Sequence, residues 1–257
     1  MQPNKVKAAL RQGRAVAGPI VNEARSIGTV RILARERFDF LFLDMEHAMF
    51  GWETMLNLVQ ASLLCDICPL VRVTDLSYPL VARALDTGAQ GIIIPRVDNR
   101  AQVEAAVSFA KYPPLGRRGA GGEARIGYAK LDAGAAVERS NAETMVVVQI
   151  ESVEGLNNLT GIAAVPGLDV VCVGPQDLSI SMGIPGQFGH PDFVAALRNL
   201  VETCAARGVA TGMVEREAVN LERWYDLGMR FLVSGGDGYY IGKGAAEAVA
   251  TIRGFAG

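Results

Sequence analysis

Eight times along this chain, a short run rich in Val and Ile is followed by a stretch whose apolar residues recur at helical spacing. That alternation leaves few folds open. The apolar runs cover residues 15–21, 38–45, 69–73, 91–97, 145–150, 170–174, 209–214 and 231–234. The helical patterns cover 23–35, 52–64, 78–87, 101–111, 154–165, 192–207, 217–227 and 245–253. A run that is apolar throughout, rather than at alternate positions, reads as a strand buried on both faces, the condition of a parallel sheet covered by helices. Gly88, Gly208 and Gly228 each follow a helical run and precede a strand, as expected of helix exits. Eight such repeats predict a parallel (β/α)8 TIM barrel, with a doubly wound open sheet as the alternative. The length, 257 residues, matches one barrel, so residues 1–257 are expected to form a single domain.

Composition narrows the function from outside. A net charge of -2 offers no field for nucleic acid or an anionic membrane surface. No apolar run approaches the ~20 residues of a bilayer span, and no N-terminal signal pattern is seen. Cys65, Cys68, Cys172 and Cys204 are too scattered for a disulfide framework. The Cys65–Cys68 spacing lacks the second pair that a zinc site needs. A reduced, cytoplasmic enzyme is expected. One segment, residues 113–141, breaks the rhythm, opening Pro113-Pro114-Leu115-Gly116-Arg117-Arg118-Gly119. A connection that long is usually functional or partner-bound. It follows a helix and so starts on the face away from the strand ends. To meet a site there, it must wrap around the barrel or reach a neighbouring subunit.

The side chains that do chemistry in such a barrel come from the carboxyl ends of the strands. Two ends stand out. Met145-Val146-Val147-Val148-Gln149-Ile150 closes on Glu151, and Val170-Val171-Cys172-Val173-Gly174-Pro175-Gln176 closes on Asp177. The two runs flank one helical pattern, and neighbouring strands lie roughly 5 Å apart, so both carboxylates are within reach of one cation. For Asp177 the alternative is a helix cap. Glu151, closing an apolar run, needs a partner. The second strand ends in Asp44-Met45-Glu46-His47, and the third ends in Arg72, whose burial demands an anion. Two carboxylates, a histidine and an arginine suggest a metal site with a proton-handling group beside it. His47 reads as that group or as a structural histidine, and His190 as a loop residue.

These motifs resemble the HpcH/HpaI family of metal-dependent pyruvate aldolases. The resemblance is carried by Asp39-Phe40-Leu41-Phe42-Leu43-Asp44-Met45-Glu46-His47, Pro69-Leu70-Val71-Arg72-Val73 and Asp86-Thr87-Gly88-Ala89-Gln90-Gly91. Tyr112-Pro113-Pro114-Leu115-Gly116-Arg117-Arg118-Gly119, Gln149-Ile150-Glu151 and Gly174-Pro175-Gln176-Asp177-Leu178-Ser179 complete it. It is strong over residues 38–190 and looser elsewhere. It implies a barrel of the phosphoenolpyruvate/pyruvate type, assembled as a trimer or hexamer with the last helix exchanged between subunits. It implies Mg²⁺, Mn²⁺ or Co²⁺ held by Glu151 and Asp177, and reversible cleavage of 4-hydroxy-2-oxo acids, as in aromatic catabolism, to pyruvate and an aldehyde. Arg72 would stabilise the enolate oxygen and His47 would act as base, with Asp86 orienting it and Asp44 in the surrounding network. Gln149, Gly174, Pro175 and Asp177 would border the pyruvate, whose carboxylate the backbone N–H groups near Gly174 to Asp177 would hold.

The roles are chemically coherent, because an enolate forms only where its developing charge is neutralised. The first strand, Ala15-Val16-Ala17-Gly18-Pro19-Ile20-Val21, departs from the Gly-x-Trp type common in the family, which leaves the aldehyde partner open. A Schiff-base aldolase is disfavoured, since Lys5, Lys7, Lys111, Lys130 and Lys243 all lie away from strand ends. Two further readings are a citryl- or malyl-CoA lyase-like enzyme, which needs a cationic cluster for the nucleotide, and a non-catalytic barrel used for binding or assembly.

Overall fold

A computed structural model describes residues 2–130 and 132–255 of the chain. All eight apolar runs are strands: β1 (Val16–Val21), β2 (Phe40–Asp44), β3 (Cys68–Arg72), β4 (Gly91–Ile94), β5 (Met145–Ile150), β6 (Val170–Val173), β7 (Ala210–Glu215) and β8 (Phe231–Gly236). Each pairs in parallel with the next, and β8 pairs with β1, so the sheet closes into a barrel and the open-sheet alternative falls.

Period-two alternation divides the core in two. Inside the barrel lie Phe40 and Phe42 of β2, Leu70 of β3, Ile93 of β4, Met145 and Val147 of β5, Val170 and Cys172 of β6, and Phe231 and Val233 of β8. The residues between them, such as Leu41, Leu43, Val71, Val146 and Val148, face outward against the helices. The rings of Phe40 and Phe231 stack across the interior with centroids 4.4 Å apart. Glycines on the two neighbouring strands make room: a Cβ on Gly18 would overlap Phe40, and one on Gly212 would overlap Phe231.

The helices are α1 (Lys5–Arg11), α2 (Ile27–Arg35), α3 (Trp52–Leu64), α4 (Tyr78–Asp86), α5 (Arg100–Ala110), α6 (Ala133–Glu143), α7 (Val153–Asn157), α8 (Leu159–Ala163), α9 (Pro175–Ser181), α10 (Pro191–Ala205), α11 (Leu221–Leu227) and α12 (Asp237–Gly254). Several differ from the sequence expectation. The pattern predicted from residue 23 begins at Ile27, because the Ser26 hydroxyl accepts the Gly28 N–H and caps the helix there. The single helix predicted over 154–165 is two, broken at Asn158. The connection over 113–141 contains a 3₁₀ turn (Ala124–Ile126) and most of α6. α1 was not foreseen: it closes the bottom of the barrel, where the strands begin, with Val6 and Ala9 joining the interior core. Among the described residues no helix is long and apolar enough to cross a membrane.

Candidate active site

Strand parity, continued past the apolar core, delivers the polar side chains. Asp44, Arg72 and Gln149 stand two residues beyond Phe42, Leu70 and Val147 and point into the same interior. All three are buried. The register sets Asp44 beside Arg72, and the pair is bidentate: Arg72 Nε donates to Asp44 Oδ1 at 2.9 Å and Nη2 to Oδ2 at 2.6 Å. Burial alone would lower the Arg72 pKa, but the hydrogen bond to Asp44 and the charges of Asp44, Glu46 and Glu151 outweigh it and raise it. The remaining Nη1 donates to Gln149 Oε1 at 3.3 Å, and Gln149 Nε2 donates onward to Glu151 Oε1 at 3.0 Å. A chain of directed bonds thus runs from β2 to the end of β5.

Glu151 is where this chain meets an open cavity. About 320 Å³ in volume, the cavity is lined by Glu46, His47, Arg96, Asp98, Glu151, Ser152 and Asp177, with Arg72 and Gln149 one layer deeper. Glu151 Oε2 accepts the backbone N–H of Arg96 at 3.2 Å, presented by a left-handed turn (φ 51°) after β4. Gly174 lies opposite, one residue past the Ile150–Val173 register pair, and a Cβ there would overlap the Glu151 carboxylate. Burial, then the charges of Glu46 and Asp177, push the Glu151 carboxyl up to about 7 against the opposing pull of Arg72 and the Arg96 amide.

Of the residues singled out from sequence, Asp44, His47, Arg72, Gln149, Glu151 and Asp177 gather at this end of the barrel. Asp177 is in the first turn of α9 and exposed, near enough for its charge to be felt at Glu151. Gly174 N–H donates to Ile150 O at 3.3 Å and Pro175 has none, so among the described residues the uncommitted donors there are the N–H groups of Gln176 and Asp177. The His47 side chain is 65 % exposed, above a turn in which Asp44 Oδ1 accepts the N–H groups of Glu46 (2.9 Å) and His47 (3.3 Å).

Asp86 is placed elsewhere. It ends α4, which runs from the mouth back to the start of β4, and its carboxylate pairs with Arg118 at 2.8 Å. The expected Asp86–His47 contact is not formed within one chain. His190 caps α10, its Nδ1 accepting the Asp192 N–H at 3.2 Å. All four cysteines are free, and burial pushes the Cys68 and Cys172 thiols far up.

Two residues not singled out belong to the site. Glu46 is nearly buried, with Oε2 3.1 Å from Arg72 Nη1 and 3.9 Å from His47 Nε2, yet its geometry to Arg72 is not that of a hydrogen bond and Oε2 has no hydrogen-bond donor among the described residues. Arg96 Nη2 lies 3.5 Å from Glu46 Oε1 and donates to Thr74 O at 2.9 Å. The position of Glu46 beside a candidate base, immediately after a strand, hints at the mouth but not at the contact with Arg72.

Glu46, Glu151 and Asp177 concentrate negative charge at a cavity whose one deep cation, Arg72, is already bidentate to Asp44. A carboxyl driven towards a proton, an acceptor oxygen without a donor and an all-oxygen donor set suit a hard divalent cation. Among the described residues no group of three or more His, Cys, Asp or Glu has ligating geometry, so such an ion would rest on Glu151 and Asp177, with water or substrate completing its sphere.

Comparison with known proteins identifies the family. Residues 23–242 match the family model for HpcH/HpaI aldolase/citrate lyase. The chain is 32% identical over 251 residues to the hydroxypyruvate/pyruvate aldolase of Pseudomonas aeruginosa, covering 98% of this chain and 93% of that one. It is 34% identical over 247 residues to the 4-hydroxy-2-oxo-heptane-1,7-dioate aldolase of Salmonella dublin, covering 96% and 93%. The crystal structure of an HpcH/HpaI aldolase from Desulfitobacterium hafniense superposes with a TM-score of 0.93 at 31% identity, covering 96% of each chain. A parallel barrel with this mouth, this sequence similarity and this structural match place the chain in the HpcH/HpaI aldolase/citrate lyase family.

Proposed function

We propose that the protein is a carbon–carbon lyase, a class II pyruvate aldolase that reversibly cleaves 4-hydroxy-2-oxo acids to pyruvate, or a close 2-oxo acid such as hydroxypyruvate, and an aldehyde. The observation that carries this reading is the directed line Arg72–Gln149–Glu151, which ends on a carboxyl held at about 7 at the edge of the cavity. The names of the relatives, pyruvate and 4-hydroxy-2-oxo acid aldolases, point to the same chemistry. A divalent cation, Mg²⁺, Mn²⁺ or Co²⁺, held by Glu151 and Asp177 would supply positive charge next to the substrate's carboxylate and ketone.

The chain's own residues do the rest. Arg72, fixed by Asp44, offers Nη1 to the oxygen that becomes negative, a pre-oriented donor that needs no rearrangement during reaction. The N–H groups of Gln176 and Asp177 face the substrate carboxylate. Gln149 keeps Glu151 in its ligating pose. His47, at the rim, exchanges a proton between the substrate and water. Lys7 and Lys111 lie at the far end of the barrel, and among the described residues no lysine lines the cavity at Glu151 where a Schiff base would have to form. The acyl-CoA reading loses half of its cationic pair: Arg118 is buried against Asp86, which leaves Arg117, exposed over the Phe109 ring, without its partner.

The same proposal includes a homo-oligomer, a trimer or hexamer. From Ile241 onwards the described residues of α12 are exposed, and Ile241, Val249 and Ile252 form an apolar stripe with nothing of their own chain upon it. Light scattering should find a particle of at least three chains, and a monomer with full activity would remove this part.

Deuterium exchange tests the chemistry. With Mn²⁺ and pyruvate in deuterated water, the methyl protons should exchange, and His47→Ala should slow the exchange by about 10²–10⁴-fold. A wild-type protein that leaves the methyl protons untouched would refute the proposed function.

A further inference from the structure

The mouth of the barrel does not use the chain's other concentration of buried charge. On the opposite face, where the strands begin, a cavity of about 310 Å³ opens beside α1, lined by Lys7, Arg11, Lys111 and Asp169 among others. The cations come from two elements. Lys7 and Arg11 stand four residues apart on one side of α1, and Lys111 is the residue on which α5 ends. Both lysines are buried, 6 % and 3 % exposed, and they converge on a single oxygen. Thr144 O accepts from Lys111 Nζ at 2.6 Å and from Lys7 Nζ at 3.1 Å. Lys111 also donates to Asn141 O at 2.7 Å, and Lys7 pairs with Asp169 Oδ1 at 3.1 Å.

Part of this has a structural purpose, since Asn141 and Thr144 close α6 and cations suit a helix C-terminus. That purpose does not balance the charge. A helix end carries roughly half a negative charge, and Asp169 is the one carboxylate among the described residues lining the cavity. Lys7, Arg11 and, when protonated, Lys111 face them. Burial, then repulsion from Lys7, hold the Lys111 ammonium down at about 7. Two buried lysines drawn together at a water-accessible cavity need a counter-charge, and the protein supplies less than the cluster requires.

We propose that this cavity is a binding site for a compact dianion, a tetrahedral oxyanion or a short dicarboxylate, held between Lys7, Arg11 and Lys111. The two kinds of ligand share one recognition chemistry: two negative charges close enough together to meet both ammonium groups, with the exposed guanidinium of Arg11 at the entrance. The site stands at the end of the barrel opposite Glu151 and holds whether or not the mouth makes an enolate.

Equilibrium dialysis tests it on the full chain, with Mg²⁺ and pyruvate present to occupy the mouth and chloride keeping the ionic strength constant. Labelled sulfate forms one arm and labelled succinate the other. Saturable binding of one ion per chain is expected in at least one arm, and the arm that binds identifies the class of ligand. Arg11→Gln, at an exposed position where folding is unaffected, should weaken that binding about tenfold. Lys7→Met should weaken it further, and both variants should keep wild-type proton exchange at pyruvate. Should Lys7→Met fail to fold, Arg11→Gln and Arg11→Glu decide the matter. No saturable binding in either arm overturns the proposal, as does equal binding by wild type and the Arg11 variants.

Discussion

Glu151 owes its position to three residues: Gln149, which donates to one oxygen, Arg96, whose amide donates to the other, and Gly174, which leaves the space. Gly174→Ala should therefore displace the carboxylate without unfolding the barrel, and weaken Mn²⁺ binding by about tenfold or more. Paramagnetic resonance of free Mn²⁺ measures this directly, and wild-type affinity would show that Glu151 is not a ligand. The acidity of Glu151 gives a second handle. Its folded value of about 7 lies above the ordinary carboxyl value, so without a cation the folded state binds a proton that the unfolded chain has released. That contribution to stability is complete below the unfolded value and fades as pH rises through about 7. A cation must displace the same proton, so the rise in Tm produced by Mn²⁺ should grow as pH is raised through about 7. A rise that shrinks instead would contradict the assignment. The strand-end carboxylates, Arg72 and His47 were readable from sequence because each ends or follows an apolar run where a charge needs a reason. The involvement of Glu46 with Arg72 was not, since it depends on a turn held by Asp44 Oδ1 that no spacing rule reveals.

Elements declare themselves in sequence to the extent that burial writes a period into them. The eight strands are mostly apolar and mostly buried, and each leaves a run visible in the sequence. α6 buries only Ala136 and Ser140, and α9 only Leu178 and Ser179, so neither carries a helical stripe. α1 was missed for the same reason: seven residues are too few to establish a period. The segment after α5 reads as a loop in the sequence because its anchoring is polar. Arg118, its side chain fully buried, pairs with Asp86 of α4 and lies over the Tyr112 ring, while Nε and Nη1 have no hydrogen-bond partner among the described residues. Asp86 is 35 % exposed, so the two halves of this pair are unequal. Asp86→Asn leaves a guanidinium buried without its anion and should destabilise the fold by about 2–3 kcal/mol. Arg118→Met leaves a carboxylate that water can reach, and should do less harm. Urea denaturation of both variants measures the difference; an equal loss, or a larger one for Arg118→Met, would show that the pair does not anchor the segment.

Closure of the whole barrel is what brings distant stretches of chain to one mouth, and it follows from strand count and parity more than from any single motif. Once β8 pairs with β1, side chains separated by more than a hundred residues, such as Asp44 and Glu151, face the same space. The pairing of Asp86 with His47 was expected from resemblance and is absent within one chain, because the end of α4 and the turn after β2 lie at opposite ends of the barrel. The stripe of Ile241, Val249 and Ile252 on α12 is exposed in the single chain, and it is the face that the proposed assembly would cover. In the proposed reaction, carbon–carbon cleavage depends on a cation at Glu151 and Asp177 rather than on a lysine. Cleavage of 4-hydroxy-2-oxo-heptane-1,7-dioate should be followed after two parallel treatments, one with EDTA and one with pyruvate plus borohydride. EDTA should abolish cleavage, Mg²⁺, Mn²⁺ or Co²⁺ should restore it, and borohydride should leave it unchanged. Inactivation by borohydride together with full activity after EDTA would contradict a cation at Glu151 and Asp177 and place a lysine in the reaction.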